Sequence, residues 1–300
     1  MRRRSLLATL ILILALALPV AVAADDPPGP TTRHQFRTAG LPVAGPAEMV
    51  TWVLDFAPGA ATPPHTHPGL LLGTQLEGEN TFTSGGADKV YKTGETLIEL
   101  PGVVGIATNK GAVRNRALVS IVLPKGAPQS TAQPGAPAPA LTPVTSSLFR
   151  ADAVLPNGPY EVAQAVLDFA PGAQTPLHTH PGQTFVKVIE GAITFTSAGT
   201  TTVYQTGETF IEQPGVVVQA RNAGTTRATV MATYLLPQGA PLSSPVAPAP
   251  PATGTGGNLP GLPNTGAGGG IDVPLGWLVP LAGGALAAGV LLLRRRARRA

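Results

Sequence analysis

The sequence contains no cysteine, so no disulfide bond can stabilise this 300-residue chain. Each domain must therefore be large enough to fold on core packing alone. The sequence also lacks a phosphate-binding loop, the pattern of a nucleotide-binding fold and a Ser–His–Asp arrangement. These absences leave no sign of nucleotide-dependent or serine-hydrolase chemistry.

Charged residues are scarce as well, at 12 % of the chain. Of the 20 lysines and arginines, eight lie in Arg2–Arg4 and behind Leu293, at the two ends. Residues 24–265 hold the other 12 and 15 acidic residues, a net charge of −3. The body of the protein thus has no basic stripe, which excludes nucleic acid as a partner despite an overall charge of +4.

The N-terminus is predicted to direct export. Arg2–Arg4 precede a short apolar run, and small residues end it at Ala21-Val-Ala23, which is typical of a cleaved signal peptide over residues 1–23. An uncleaved N-terminal anchor is the alternative. Both interpretations place the body of the protein outside the cytoplasm.

The C-terminus carries a second membrane signal. Residues 271–293 are a predicted transmembrane helix, uncharged from Val273 onward, and the basic tail 294–300 should remain cytoplasmic. Before the span stands the pentapeptide Leu262, Pro263, Asn264, Thr265 and Gly266. Together, the pentapeptide, the span and the basic tail resemble the cell-wall sorting signal (LPxTG) of Gram-positive bacteria. That resemblance implies cleavage by a sortase and transfer to peptidoglycan; permanent membrane anchoring is the alternative.

Between these ends the chain contains one block twice, at an offset of 113 residues. Val53-Leu-Asp-Phe-Ala-Pro-Gly-Ala60 recurs at Val166–Ala173, and each copy is followed by a His-Thr-His-Pro-Gly segment. The duplication predicts two copies of one domain, over residues 24–128 and 149–241. A linker is predicted over residues 129–148, which are rich in Pro, Ala, Ser and Thr, and a stalk over residues 242–270, which are rich in Pro and Gly. The alternative for the linker is that it lies across an interface between the two copies.

Each copy consists of short segments rich in Val, Ile, Thr and Phe that end at Pro-Gly turns, such as Pro58-Gly59 and Pro101-Gly102. This pattern predicts an all-β fold with roughly eight strands per copy, arranged as a small barrel or jelly roll.

The spacing of glycines and histidines resembles the two motifs of the cupin superfamily. Gly59, His65, His67 and Gly78 follow the first motif, G-x5-H-x-H-x3,4-E-x6-G. Gly94, Gly102 and Asn109 follow the second, G-x5-P-x-G-x2-H-x3-N, and the second copy repeats both motifs. The resemblance implies a bicupin: two tandem jelly-roll β-barrels with a pocket in each.

Metal-binding cupins use three imidazoles and one carboxylate, and this chain departs from that set in both copies. The motif glutamate is replaced by Leu71 and Thr184, and the third histidine by Gly105 and Val218. The pairs that remain could bind a divalent transition metal (Mn, Fe, Ni, Cu or Zn); they are His65, His67, His178 and His180.

Alternation along the strands predicts which side chains line the pockets: Leu71, Gly73 and Gln75 in the first copy, Thr184, Val186 and Val188 in the second. The cupin resemblance adds Gly105 and Val218, which stand at the position of the third histidine. The first pocket should accordingly be roomier and more polar. Glu99 and Glu212 recur before the second-motif turn; we expect exposed carboxylates at strand ends, or replacement ligands if their strands turn that face inward.

These observations favour an exported cupin protein, attached to the cell wall or membrane surface, that binds a small molecule beside a degenerate metal site. A metal-dependent cupin enzyme (dioxygenase, decarboxylase or isomerase) and a structural cell-wall protein are the alternatives. The loss of two ligands in both copies favours binding over catalysis.

Overall fold

The structure, a computed structural model, describes residues 26–247. This part of the chain is built from antiparallel strands and contains no helix, which confirms the all-β prediction. Accordingly, none of the described residues forms a helix that could cross a membrane. The predicted signal peptide (1–23), the sorting pentapeptide (262–266), the span (271–293), the basic tail (294–300) and the stalk beyond residue 247 lie outside the described residues.

The two repeats have the same ten strands in the same order. Those of the first half are β1 (Thr31–Ala39), β2 (Ala47–Phe56), β3 (His65–Thr66), β4 (Leu70–Glu77), β5 (Glu79–Ser84), β6 (Ala87–Lys92), β7 (Thr96–Glu99), β8 (Gly105–Thr108), β9 (Asn115–Pro124) and β10 (Thr131–Ala132). Those of the second half are β11 (Val144–Ala153), β12 (Tyr160–Phe169), β13 (His178–Thr179), β14 (Thr184–Glu190), β15 (Ala192–Ser197), β16 (Thr200–Gln205), β17 (Thr209–Glu212), β18 (Val218–Arg221), β19 (Ala228–Pro237) and β20 (Ser244–Pro245).

Turn residues end the strands where the sequence predicts. After β2, for example, the amide of Ala60 bonds the carbonyl of Ala57 at 3.0 Å, and Gly59 inside that turn has φ +80°. Glycine adopts this left-handed conformation without strain, which explains the Pro-Gly pair at this position.

Each repeat forms two five-stranded sheets. The large sheets have the strand orders β11-β2-β9-β4-β7 and β1-β12-β19-β14-β17, and the small sheets β10-β3-β8-β5-β6 and β20-β13-β18-β15-β16. Side chains from both sheets share one core in each repeat; in the first, Phe56 of the large sheet packs with Phe82 and Ala107 of the small one. The histidine motif lies between these sheets.

The first strand of each repeat pairs with the other repeat. β1 lies beside β12, with Phe36 opposite Gln164, and β11 lies beside β2, with Arg150 opposite Val50. The two large sheets are thus each completed by a strand from the other copy. The described residues form one compact unit as a result.

The outer faces of the two large sheets pack against each other. Val53 and Leu118 share a buried cluster with Val166 and Met231. At the centre of this interface Ser120 and Thr233, which are equivalent positions of the two copies, hydrogen-bond through their hydroxyls at 3.0 Å. The interface is therefore mostly apolar with isolated polar contacts.

Part of the predicted linker, residues 129–148, lies in strands. β10 pairs with β3, with Ala132 opposite His65, and residues 144–148 belong to β11. The start of the predicted stalk does the same in the second repeat, where β20 pairs with β13. Both segments therefore cross a histidine pair as straps.

Candidate metal centres

The histidines of the first repeat are held by backbone carbonyls. Nδ1 of His65 lies 2.8 Å from the carbonyl oxygen of Pro63, and Nδ1 of His67 lies 2.6 Å from that of Gln129 in the strap. A carbonyl oxygen only accepts hydrogen bonds, so each Nδ1 carries a proton and donates it. In the neutral imidazole, Nε2 of both histidines then presents a lone pair.

The second repeat reproduces this arrangement. Nδ1 of His178 donates to the carbonyl of Pro176 at 2.8 Å, and Nδ1 of His180 donates to that of Leu242 at 2.6 Å. The two Nε2 atoms of a pair face each other at 3.0 Å in the first repeat and 3.1 Å in the second. Two lone pairs at this distance repel unless a proton or a metal ion lies beside them.

A carboxylate completes each centre, and it corrects the expectation of an exposed strand end. Glu99 and Glu212 are only 6 % and 4 % exposed and face the histidine pairs. Glu99 lies directly opposite Leu71, and Glu212 directly opposite Thr184, on the neighbouring strand. The carboxylate therefore stands across from the position where the cupin motif would have its glutamate.

The donors of the first centre can surround a metal ion. Oε2 of Glu99 lies 3.5 Å from Nε2 of His67 and 4.0 Å from Nε2 of His65. Taken with the 3.0 Å between the two nitrogens, these separations leave a point about 2.1 Å from all three atoms, a normal metal–ligand distance. Oε2 of Glu99 has no hydrogen-bond partner among the described residues.

Burial disfavours the charged forms of the carboxyl group and the imidazoles in the first centre. It raises the pKa of Glu99 to about 7 and lowers the pKa of His67 to about 4. Burial also lowers the pKa of His65. A cation that binds here would meet three unprotonated donors at slightly alkaline pH.

The second centre is closed by a short hydrogen bond. Oε2 of Glu212 lies 2.6 Å from Nε2 of His180, so one proton lies between them. Burial opposes the charged form of His180, but the hydrogen bond and charge of Glu212 outweigh it and raise the pKa. A shared proton therefore already satisfies Nε2 of His180 and Oε2 of Glu212, whereas Oε2 of Glu99 in the first centre has no such partner among the described residues.

The cavities beside the two centres differ strongly. The first has a volume of about 300 Å³ and the second about 40 Å³, which confirms the prediction that the first pocket is roomier. Of the predicted lining residues, Leu71, Gly73 and Gln75 face the first cavity and Val186 the second. The others are buried without lining either cavity: Gly105, Thr184, Val188 and Val218.

The space at Gly105 is not open, contrary to the expectation from its missing side chain. A Cβ there would overlap the ring of Phe82, which fills the position of the third motif histidine. The room in the first cavity comes instead from Gly73 and Leu97, whose counterparts are Val186 and Phe210. Phe210 stacks on Phe195 with ring centroids 4.3 Å apart and fills space beside the second cavity. Alternation along the strands did not predict that these two rings occupy this space.

Solved structures with a similar chain path include three bacterial proteins. AerE from Microcystis aeruginosa is 12 % identical over 70 % of this chain and 98 % of its own (TM-score 0.46). Oxalate decarboxylase from Bacillus subtilis is 14 % identical over 69 % of this chain and 77 % of its own (TM-score 0.46). A salicylate 1,2-dioxygenase from Pseudaminobacter salicylatoxidans is 14 % identical over 62 % of this chain and 70 % of its own (TM-score 0.40).

No curated protein matches the chain. A family match covers part of the second repeat, residues 165–234, and its description is "Cupin domain". These residues run from β12 to β19 and include His178, His180 and Glu212. The match supports the cupin superfamily as the family of this repeat.

Proposed function

We propose that the first repeat binds a small molecule beside a divalent transition-metal ion held by His65, His67 and Glu99. One observation carries the proposal: three acceptor atoms converge without a donor between them, at the wall of a 300 Å³ cavity. A cavity of this size is in the range of small-molecule sites.

The donor set agrees with this class of metal. Two imidazoles and a carboxylate suit Mn, Fe, Ni, Cu or Zn. Such an ion supplies positive charge that can polarise a ligand oxygen. The residues around it orient the donors: the carbonyls of Pro63 and Gln129 fix the tautomer of both histidines, as outer hydrogen bonds do in metal sites.

We assign the second repeat a supporting role in this function. His180 is already joined to Glu212 by a shared proton, and the cavity of about 40 Å³ holds little more than a water molecule or two. Its large sheet contributes the interface that supports the first repeat.

Calorimetric titration with Zn²⁺ and Mn²⁺ tests the proposal, and the duplication supplies matched controls. We expect one ion per chain, lost in His65→Ala/His67→Ala and kept in His178→Ala/His180→Ala. Glu99→Gln should weaken binding at least about tenfold, and Glu212→Gln should not. Equal effects in the two repeats, or no binding to the unaltered protein, would contradict the proposal.

We also propose that the protein acts outside the cell, attached to peptidoglycan or the membrane, with a sortase as its processing partner. The support is the order of the C-terminal features: pentapeptide, apolar span and basic tail. In a host with a working sortase, Thr265→Ala should make a wall-bound protein extractable by detergent. If the unaltered protein is already fully extractable, the span is a permanent anchor.

A further inference from the structure

The first cavity contains two buried amide side chains whose oxygen atoms have no hydrogen-bond partner among the described residues. Gln75 and Asn80 are 3 % and 2 % exposed and both line the cavity. Oε1 of Gln75 and Oδ1 of Asn80 have no hydrogen-bond partner among the described residues. Buried acceptors of this kind cost free energy unless something donates to them.

The fold does not require these amides. The equivalent positions of the second repeat, 113 residues later, are Val188 and Ile193, and both are buried in its apolar core. The same backbone thus tolerates apolar side chains at both positions. Of the two repeats, the one with the larger cavity has the polar pair.

The remaining walls restrict what could donate to the amides. Trp52, Leu54 and Phe56 provide flat apolar surface. Among the described residues that line the cavity, none is a lysine or arginine, and Glu99 adds a carboxyl group. The lining therefore offers an anionic ligand no cationic side chain.

We propose that the first cavity selects an uncharged ring-sized molecule that carries N–H or O–H donors, and that Gln75 and Asn80 accept these hydrogen bonds. The ring lies against the apolar wall of Trp52 and Leu54. This assignment of a ligand class rests on the proposed function of the cavity as a small-molecule site.

Three probes of nearly the same shape test the class: benzamide, acetophenone and benzoate. Benzamide is uncharged and donates, acetophenone is uncharged and does not donate, and benzoate is an anion. We expect the chelator-treated protein to bind benzamide about tenfold or more tightly than either other probe, because a site built to accept hydrogen bonds rejects ligands that leave it unpaired. Ligand-observed NMR measures all three.

The variant Gln75→Val/Asn80→Ile gives the first cavity the side chains of the second. It should bind benzamide at least tenfold more weakly and lose the preference over acetophenone. Zn²⁺ binding should be unchanged, because both residues are separate from the metal donors. Failure of Zn²⁺ binding alone would contradict the proposed metal site and leave the ligand class intact.

Equal affinities of the three probes in the unaltered protein would overturn the proposal. So would the absence of benzamide binding, or a preference that survives in the double variant. The probe comparison in the unaltered protein stands by itself even if the double variant does not fold.

Discussion

Lys187 should make the protein less stable at neutral pH than at alkaline pH. This lysine lies in β14 at the interface between the repeats and is fully buried. Its ammonium group donates to the carbonyl of Ser147 at 2.7 Å, the hydroxyl of Thr209 at 2.7 Å and the carbonyl of Gly207 at 3.3 Å. All three partners are uncharged, and among the described residues no carboxylate pairs with it.

Burial without a counter-charge lowers the pKa of Lys187 from 10.5 to about 8. Between these values the unfolded chain holds a proton that the folded chain has released, so the free energy of unfolding rises with pH. At 1.36 kcal/mol per pKa unit, the rise between pH 7 and pH 10 amounts to about 2 to 3 kcal/mol.

Denaturant unfolding at pH 7 and pH 10 measures this contribution, with Lys187→Met as the comparison. The variant lacks the ammonium group, so the difference in unfolding free energy between it and the unaltered protein should change by about 2 to 3 kcal/mol across that range. Other titrating groups cancel in the comparison.

Lys125→Met is a control of opposite sign. Lys125 is exposed, and the hydrogen bond from its ammonium to Asp152 raises its pKa. A raised pKa adds stability that is fully present below the unfolded pKa of 10.5 and is lost as pH rises through the higher folded pKa. Lys125→Met should therefore differ from the unaltered protein by a nearly constant amount between pH 7 and pH 10, and the difference should change with opposite sign above pH 10.5. Parallel pH profiles for Lys187→Met and the unaltered protein would refute the reasoning about the buried ammonium.

Three further predictions concern the stability of the repeats. Gly182→Ala should destabilise the protein by about 3 kcal/mol, because its Cβ would overlap the carbonyl oxygen of Leu235; thermal unfolding measures the loss. Asn222→Ala should cost about 2 kcal/mol in denaturant unfolding, because its amide donates to the carbonyls of Phe169 and Thr226. Metal removal by a chelator should leave the β signal in circular dichroism unchanged, because each core is apolar and complete without an ion; a lost signal would contradict this.

The sequence predicts the strands well because local chemistry determines them. Pro-Gly turns set where strands such as β2 and β12 end, and the constant offset makes the two copies agree. The partner of each first strand is a different matter. Since the copies are nearly alike, β1 fits its own sheet and the other sheet equally well by local pattern, and only the tertiary packing distinguishes them.

The sequence left the orientation of Glu99 open, between an exposed strand end and a replacement ligand, for a related reason. Whether Glu99 faces the histidines depends on the register between β4 and β7, which sequence spacing along one strand does not contain. The straps did not emerge from the sequence because amino-acid composition indicates only how much apolar side-chain surface a segment can bury. Residues 129–133 act through backbone groups, such as the Gln129 carbonyl that binds His67.

The exchange of first strands has a consequence for the order in which the protein is made. β1 is among the earliest segments to be synthesised, yet β12, its partner, ends only at Phe169. At typical rates of chain elongation this wait lasts roughly 7 to 25 seconds. Throughout it, β1 has no partner, and β2 presents an open edge until β11 is made. Open strand edges of this kind can pair with another nascent chain. Neither large sheet is complete until strands of both repeats have been made. Correct folding can therefore be checked only on the whole pair of repeats.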